Sequence, residues 1–134
     1  MSSIDAHPST AATRDHRQTQ VADWCVAAFG RDQAVSIAQR GIRLVEEAIE
    51  AAQASGCGRE MVHKLVDYVY SRPIGELHQE LGGVGVGALA LAAAAGLCAD
   101  ECEATEVARI ISKPLEHFAA RNEAKNAAGF LVPA

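Results

Sequence analysis

From Leu81 to Ala99 the chain carries no charged residue, a run nominally long enough to cross a bilayer. No other feature of the sequence narrows the fold as much. The run is chiefly alanine and glycine with few leucines and valines, and Glu76 and Glu80 stand at its head. Residues this small have weak transfer free energies, and no Lys or Arg and no interfacial aromatic girdle brackets the segment. We read it as a buried helix whose small side chains let neighbours approach closely, and expect no membrane association.

The remaining apolar residues recur at helical spacing. Val21, Trp24, Cys25, Ala28 and Phe29 make one face, and Gly30 follows as a stop signal. A second helix is expected from about Asp32, with Ile42, Val45, Ala48, Ile49 and Ala52 on one stripe, ending at "SGCG" (55–58). A shorter helix carries Met61, Val62, Leu65, Val66 and Val69. "SRPIG" breaks it, because proline cannot continue a helix and disfavours helical geometry in Arg72 before it. The small-residue helix then spans about 75–96. Its glycines at 82, 83, 85 and 87 each cost roughly 1 kcal/mol relative to alanine, so tertiary packing must hold it. Asp100, with Glu103 three residues on, reads as a capping-box variant opening a last helix. Pro114 starts a new segment or kinks that helix, and "AAGFLVPA" is a tail. No segment alternates as a half-buried strand does. The expectation is an all-α domain of four or five helices.

Composition bounds what such a domain does. Twelve Lys and Arg against 17 Asp and Glu leave a formal charge of −5 over 134 residues, which is one domain's length and no broad basic face for nucleic acid. The cysteines, at 25, 57, 98 and 102, form no CxxC pair. Cys98 and Cys102 share a helix face and make at most half a zinc site; free thiols of a reducing cytoplasm are the plainer reading. The N-terminus lacks the apolar core of a signal peptide. Residues 1–16 are expected as a flexible segment, 17–126 as the domain and 127–134 as the tail, in a cytoplasmic protein.

The chemistry concentrates in "RGIRLVEEAIEAAQ", 40–53. On a helix Glu46 and Glu50 lie one turn apart, Glu47 and Glu50 are also neighbours, and like charges so placed destabilise the helix by a few tenths of a kcal/mol. A solvated acidic face is one reading, with Arg40 and Arg43 partly balancing it. A metal site is the other, because Glu76 and Glu80 form a second pair at the head of the small-residue helix. If the two helices pack side by side, four or five carboxylates converge as hard oxygen ligands suited to Mg²⁺ or Mn²⁺. Glycines 82, 83, 85 and 87 would then let a neighbouring helix or a nucleotide come close. "GGVGVG" does not join a strand to a helix and is no dinucleotide loop.

These residues resemble the signature of the all-α nucleoside triphosphate pyrophosphohydrolases, the MazG-like proteins and their dimeric dUTPase and dCTP pyrophosphatase relatives. That family carries ExxE on one helix and ExxD on the next long one. "EAIE", Glu47 to Glu50, matches the first half; "ELGG", from Glu80, matches the second and is followed by an apolar continuation. The similarity spans about 18–125, and "VADWCVAAFG" and "DYVYSRPIGE" look like a phage branch of short members. Gly83 stands where the family has Asp. Glu46 or Glu76 would have to replace that ligand, although Glu76 lies about 10 Å before Gly83 along the axis.

The resemblance implies a bundle of the MazG-like, dimeric dUTPase type, and hydrolysis of a nucleoside triphosphate between its α- and β-phosphates. It implies two or more Mg²⁺ or Mn²⁺ ions per site, ligated from among Glu46, Glu47, Glu50, Glu76 and Glu80, with Glu47, Glu50 and Glu80 catalytic. Arg43, Lys113, Arg121 and Lys125 are the cations available to the phosphates, or else a solvated basic helix end. Trp24 would stack on a base or pack in the core. His63, His78 and His117 are scattered singly, with His78 lying between Glu76 and Glu80. The MazZ-type branch, from phages whose DNA carries 2-aminoadenine, points to dGTP or GTP as substrate, in the host cytoplasm. A general housecleaning dNTP pyrophosphatase and an inactive helical nucleotide-binding or dimerisation module are the alternatives. The flat small-residue helix favours a homodimer or homotetramer.

Overall fold

The computed structural model describes residues 13–133, so most of the N-terminal segment expected over 1–16 lies outside the described residues. Within them the chain is all-α, with α1 (Arg14–Phe29), α2 (Arg31–Val35), α3 (Ile37–Ala54), α4 (Arg59–Tyr70), α5 (Leu77–Ala95), α6 (Ala99–Ser112) and α7 (Leu115–Lys125), followed by a π-turn over Asn126–Phe130. No single helix among them is long and apolar enough to cross a membrane; α5 and α6 meet that test only as a pair, bent by 105°.

Seven helices replace the four or five expected, and each additional break has a local cause. Residues 14–16 belong to α1, whose N-cap is Thr13, with the side chain accepting from the His16 N–H. Ser36 splits the expected second helix in two: it is extended, and its Oγ accepts from the Gln39 N–H at 3.2 Å, starting α3 afresh. Pro114 begins α7 rather than kinking α6, with Lys113 extended before it as proline requires. Gly96 ends α5 in the left-handed conformation, while the Leu97 N–H reaches back to the Ala92 carbonyl at 2.8 Å.

The core is small and centres on α1, which packs on α2, α6 and α7. Cys25 and Ala28 of α1 are buried with Val107 of α6 and Phe118 of α7. Trp24 meets Phe29 and Phe118 edge-on, with ring centroids 5.1 and 4.9 Å away. Buried polar groups tie the elements together. Arg17, 4% exposed, joins Asp100 at 2.5 Å and Glu103 at 2.9 Å, and Arg14 joins Glu103 as well. Asp100 and Glu103 therefore do not form the expected capping box: the N-cap of α6 is Cys98, without a side-chain bond, and the two carboxylates serve the arginines of α1 instead. Asn122 donates to Gln33 at 2.9 Å, linking α7 to α2.

The C-terminal segment is more than a tail. Gln39, 1% exposed, donates from Nε2 to the Phe130 carbonyl at 3.2 Å and accepts from the Val132 N–H at 2.8 Å. It thereby straps the end of the chain onto α3. By contrast, α4 packs extensively on no other helix, and α5 does so only on α6.

Two outcomes follow from these contacts. Gln39→Ala removes both bonds of the strap, to the carbonyl of exposed Phe130 and the N–H of half-buried Val132, and should cost about 1 kcal/mol, read from chemical denaturation; an unchanged midpoint would show that the strap carries no stability. The second concerns pH. Burial raises the Glu103 carboxyl, but hydrogen bonds from Arg14 and Arg17 outweigh it and hold it below its usual range. Lys125 does the same for Glu46, and Arg109 for Glu106. Their stabilisation is complete above the unfolded carboxylate range, near pH 4.3, and is lost as pH falls through the depressed values. Thermal melts should be level from pH 6 to 8 and drop on acidification, with a shallower drop in Arg17→Met.

Candidate functional site

α3 carries the acidic turn, and α6 and α7 bring charges to it. Glu46 points to α7, where Lys125 Nζ lies 2.8 Å from its Oε1, and Arg43 one turn earlier lies 3.2 Å from Oε2. Lys125 first, then Arg43, holds the Glu46 carboxyl below its usual range against the opposing effect of burial. This carboxylate is engaged as a bridge between helices. Arg43 and Lys125, expected to bind phosphate, are engaged with it.

Glu47 behaves in the opposite way. Partial burial, and then the negative charges of Glu50, Glu46 and Glu106, push its carboxyl upward, with only Lys125 opposing. Glu106 is the group the sequence reading missed. It sits on α6, receives a fork of two bonds from Arg109 at 2.5 and 2.8 Å, and is held low by that arginine, with Lys113 contributing. Glu47 in turn strengthens the hold of Arg109 on its proton. In sequence, Glu106 and Arg109 read as an ordinary i,i+3 pair on a solvated face. Nothing local signals that Glu106 on α6 comes within electrostatic reach of the acidic turn of α3.

The α5 acids stand apart. Glu76 is the N-cap of α5 without a side-chain cap bond. The Glu80 side chain folds back over Gly75, where a Cβ would meet its Cδ at 2.9 Å. Neither is among the charges that act on Glu47, and α3 and α5 do not pack extensively. Among the described residues no group of three or more His, Cys, Asp or Glu side chains converges closely enough to hold a metal ion. The structure thus brings Glu46, Glu47, Glu50 and Glu106 together, and does not bring Glu76 or Glu80 to them within one chain.

Other expected residues are placed plainly. Trp24 lies in the aromatic cluster of α1 and α7, its Nε1 buried without a partner. Arg121 is exposed on α7, Lys113 is half-buried at the α6–α7 junction, and His63 and His78 are exposed. His117 is exposed, with its ring edge-on to Phe118 at 5.0 Å. Around glycines 82, 83, 85 and 87, apart from the neighbouring residues and backbone of α5 itself, no heavy atom of the described residues lies within 4 Å of where a Cβ would stand. The close approach these glycines were expected to permit does not occur within the chain.

The donor chemistry of Glu47 and Glu50 fits a hard divalent cation. They are oxygen ligands one turn apart, and a positive ion there would relieve the repulsion that raises the Glu47 proton affinity. Glu46 and Glu106 fit less well as placed, each being already neutralised by a base. No known family profile, curated protein or solved structure matches the chain.

A carboxylate with raised proton affinity withdraws stability as pH rises through its folded value, so the cost is complete at neutral pH. Glu47→Gln in the presence of a chelator should therefore raise the melting temperature at pH 7 and leave it almost unchanged near pH 4. Equal melting of the two proteins at pH 7 would show that the repulsion is not felt.

Proposed function

We propose that the chain is a metal-dependent nucleotide pyrophosphohydrolase that cleaves a (d)NTP, with dGTP the expected substrate, to the monophosphate and pyrophosphate. The observation that carries the reading is the Glu47–Glu50 turn, where carboxylates are held together against their mutual repulsion beside Arg109 and Lys125. Helix surfaces that serve stability alone interleave such charges with bases. The "EAIE" and "ELGG" motifs add the resemblance to MazG-like enzymes.

Glu47 and Glu50 would hold Mg²⁺ or Mn²⁺, with Glu80 the further ligand the motif implies. The ions would supply charge neutralisation on the phosphate oxygens and a more acidic water. The carboxylate of the pair left uncommitted orients that water and accepts its proton, as a general base within hydrogen-bond reach must. Arg109, Lys113 and Lys125 stand ready for the charge that develops as the bond between the α-phosphate and its bridging oxygen breaks. Phosphate would compete with Glu46 and Glu106 for these bases, so binding would exchange one set of ion pairs for another. Product dGMP would feed 2-aminoadenine nucleotide synthesis; a housecleaning role over several dNTPs uses the same chemistry.

A second reading is favoured by one feature. Gly83 replaces the Asp of the motif, which suits a helical module that binds nucleotide or self-associates without turnover. Pyrophosphate release from each dNTP with Mg²⁺ and with Mn²⁺ separates the two. We expect turnover greatest with dGTP, and loss of about a hundredfold or more in Glu50→Gln with helicity intact. A folded protein that turns over no nucleotide supports the inactive module, and full activity in Glu50→Gln removes Glu50 from the site.

A further inference from the structure

We propose that the cleft between α1, α2 and the start of α3 binds an amphiphilic monoanion, a carboxylate carrying a short apolar chain, with Arg40 gripping the carboxylate. None of the residues involved belongs to the acidic turn, so this site stands apart from the proposed function.

Arg40 is the starting point. Its place in the sequence suits it to balance the acids of α3, yet its side chain reaches toward α1 and α2 instead. Nε donates to the Gln33 carbonyl at 3.2 Å, Nη1 reaches Cys25 Sγ at 4.0 Å, and Cζ stands 5.0 Å from the centroid of the Phe29 ring. Nη2 is buried and has no partner. No ion pair among the described residues includes Arg40. The half-buried guanidinium therefore has a carbonyl, a thiol and a ring face around it, but no carboxylate. Taking a charge out of water without a counter-ion is unfavourable, and an unmet buried donor adds to the penalty. An anion from outside the chain would offset both.

The surroundings select the anion. Arg40 lines a cleft of about 470 Å³ together with Val21, Ala22, Val26, Ala34 and Val35, within the roughly 300–1,000 Å³ of small-molecule sites. Aliphatic walls of this kind suit a hydrocarbon body. Asp23 and Arg31, both exposed, also line the cleft. Two bases against one acid leave a single positive charge, which matches a monoanion better than a dianionic phosphate. The end-on edge of the Arg40 guanidinium presents Nη1 and Nη2 as a fork, the geometry that pairs with both oxygens of a carboxylate. Nη1 has only its long contact with sulfur to exchange, and Nη2 has none. Burial holds the proton on the Cys25 thiol against the opposing pull of Arg40, so the sulfur offers no negative charge in the ligand's place.

Octanoate is the probe, titrated by calorimetry into the full chain at pH 7. Octanol, which lacks the charge, and inorganic phosphate, which lacks the apolar body, are the controls. Octanoate should bind saturably at about one per chain, and at least about tenfold more tightly than either control. Arg40→Met keeps an apolar stem and removes the charge; it should weaken octanoate about tenfold or more and leave octanol unchanged. Ala22→Trp puts a bulky ring at an exposed position of the cleft wall. It should block octanoate with helicity intact by circular dichroism, and it decides the question if Arg40→Met fails to fold. Octanol binding as tightly as octanoate would reduce the cleft to an apolar patch. Phosphate binding as tightly would reduce it to an anion site with no use for a chain. Either overturns the inference, as does octanoate that fails to saturate by about 5 mM or that binds a folded variant as tightly as the parent.

Discussion

The arrangement hangs on α1, and α1 is held at both ends by interactions of different kinds. Near its start the Arg17 guanidinium lies between Asp100 and Glu103 at the beginning of α6. Near its end Trp24 sits edge-on to Phe29 and to Phe118 of α7. The polar contact fixes the direction of α6, since a guanidinium fork donates to two carboxylates in few geometries. The aromatic contact fixes the distance of α7. With both set, Lys125 of α7 reaches Glu46 of α3, and Glu106 of α6 comes within electrostatic reach of Glu47. The charges around Glu47 are thus a consequence of how α1 is clamped, although α1 contributes no residue to them.

Glu46 and Glu47 show how one helical step separates structural from chemical duty. The Glu46 carboxylate has Lys125 and Arg43 and ties α3 to α7. Its neighbour has no base of its own and carries the accumulated repulsion. Ion pairs as exposed as the first contribute modestly to stability, so its larger effect is to hold the acidic turn in register with α7.

Helical character, the stops at Gly30 and Gly96 and the break at Pro73 were legible because glycine and proline act through local backbone geometry. The Ser36 break was signalled too, by a Ser followed three residues on by Gln, the spacing of a cap. Pairing was less legible. Asp100 and Glu103 have the spacing of a cap, and only the arrival of Arg14 and Arg17 from more than eighty residues away decides otherwise. At the candidate site the α3 turn announced itself by its charge density. Glu106 did not, since an i,i+3 pair with Arg109 looks complete alone. The burial expected of Leu81 to Ala99 is not met within one chain, because hydrophobicity dictates that a surface be covered and not by what.

The two least favourable stretches of the chain share a form. α3 concentrates like charge and α5 concentrates glycine, at roughly 4 kcal/mol for its four central glycines. Neither cost is offset inside the chain. A cation would offset the first and a closely packed helix the second. Both would come from outside the chain. The glycines leave the α5 face flat enough for a backbone to approach, with no side chain of the chain itself in the way. Local propensity therefore disfavours both helices, one through charge and one through backbone freedom.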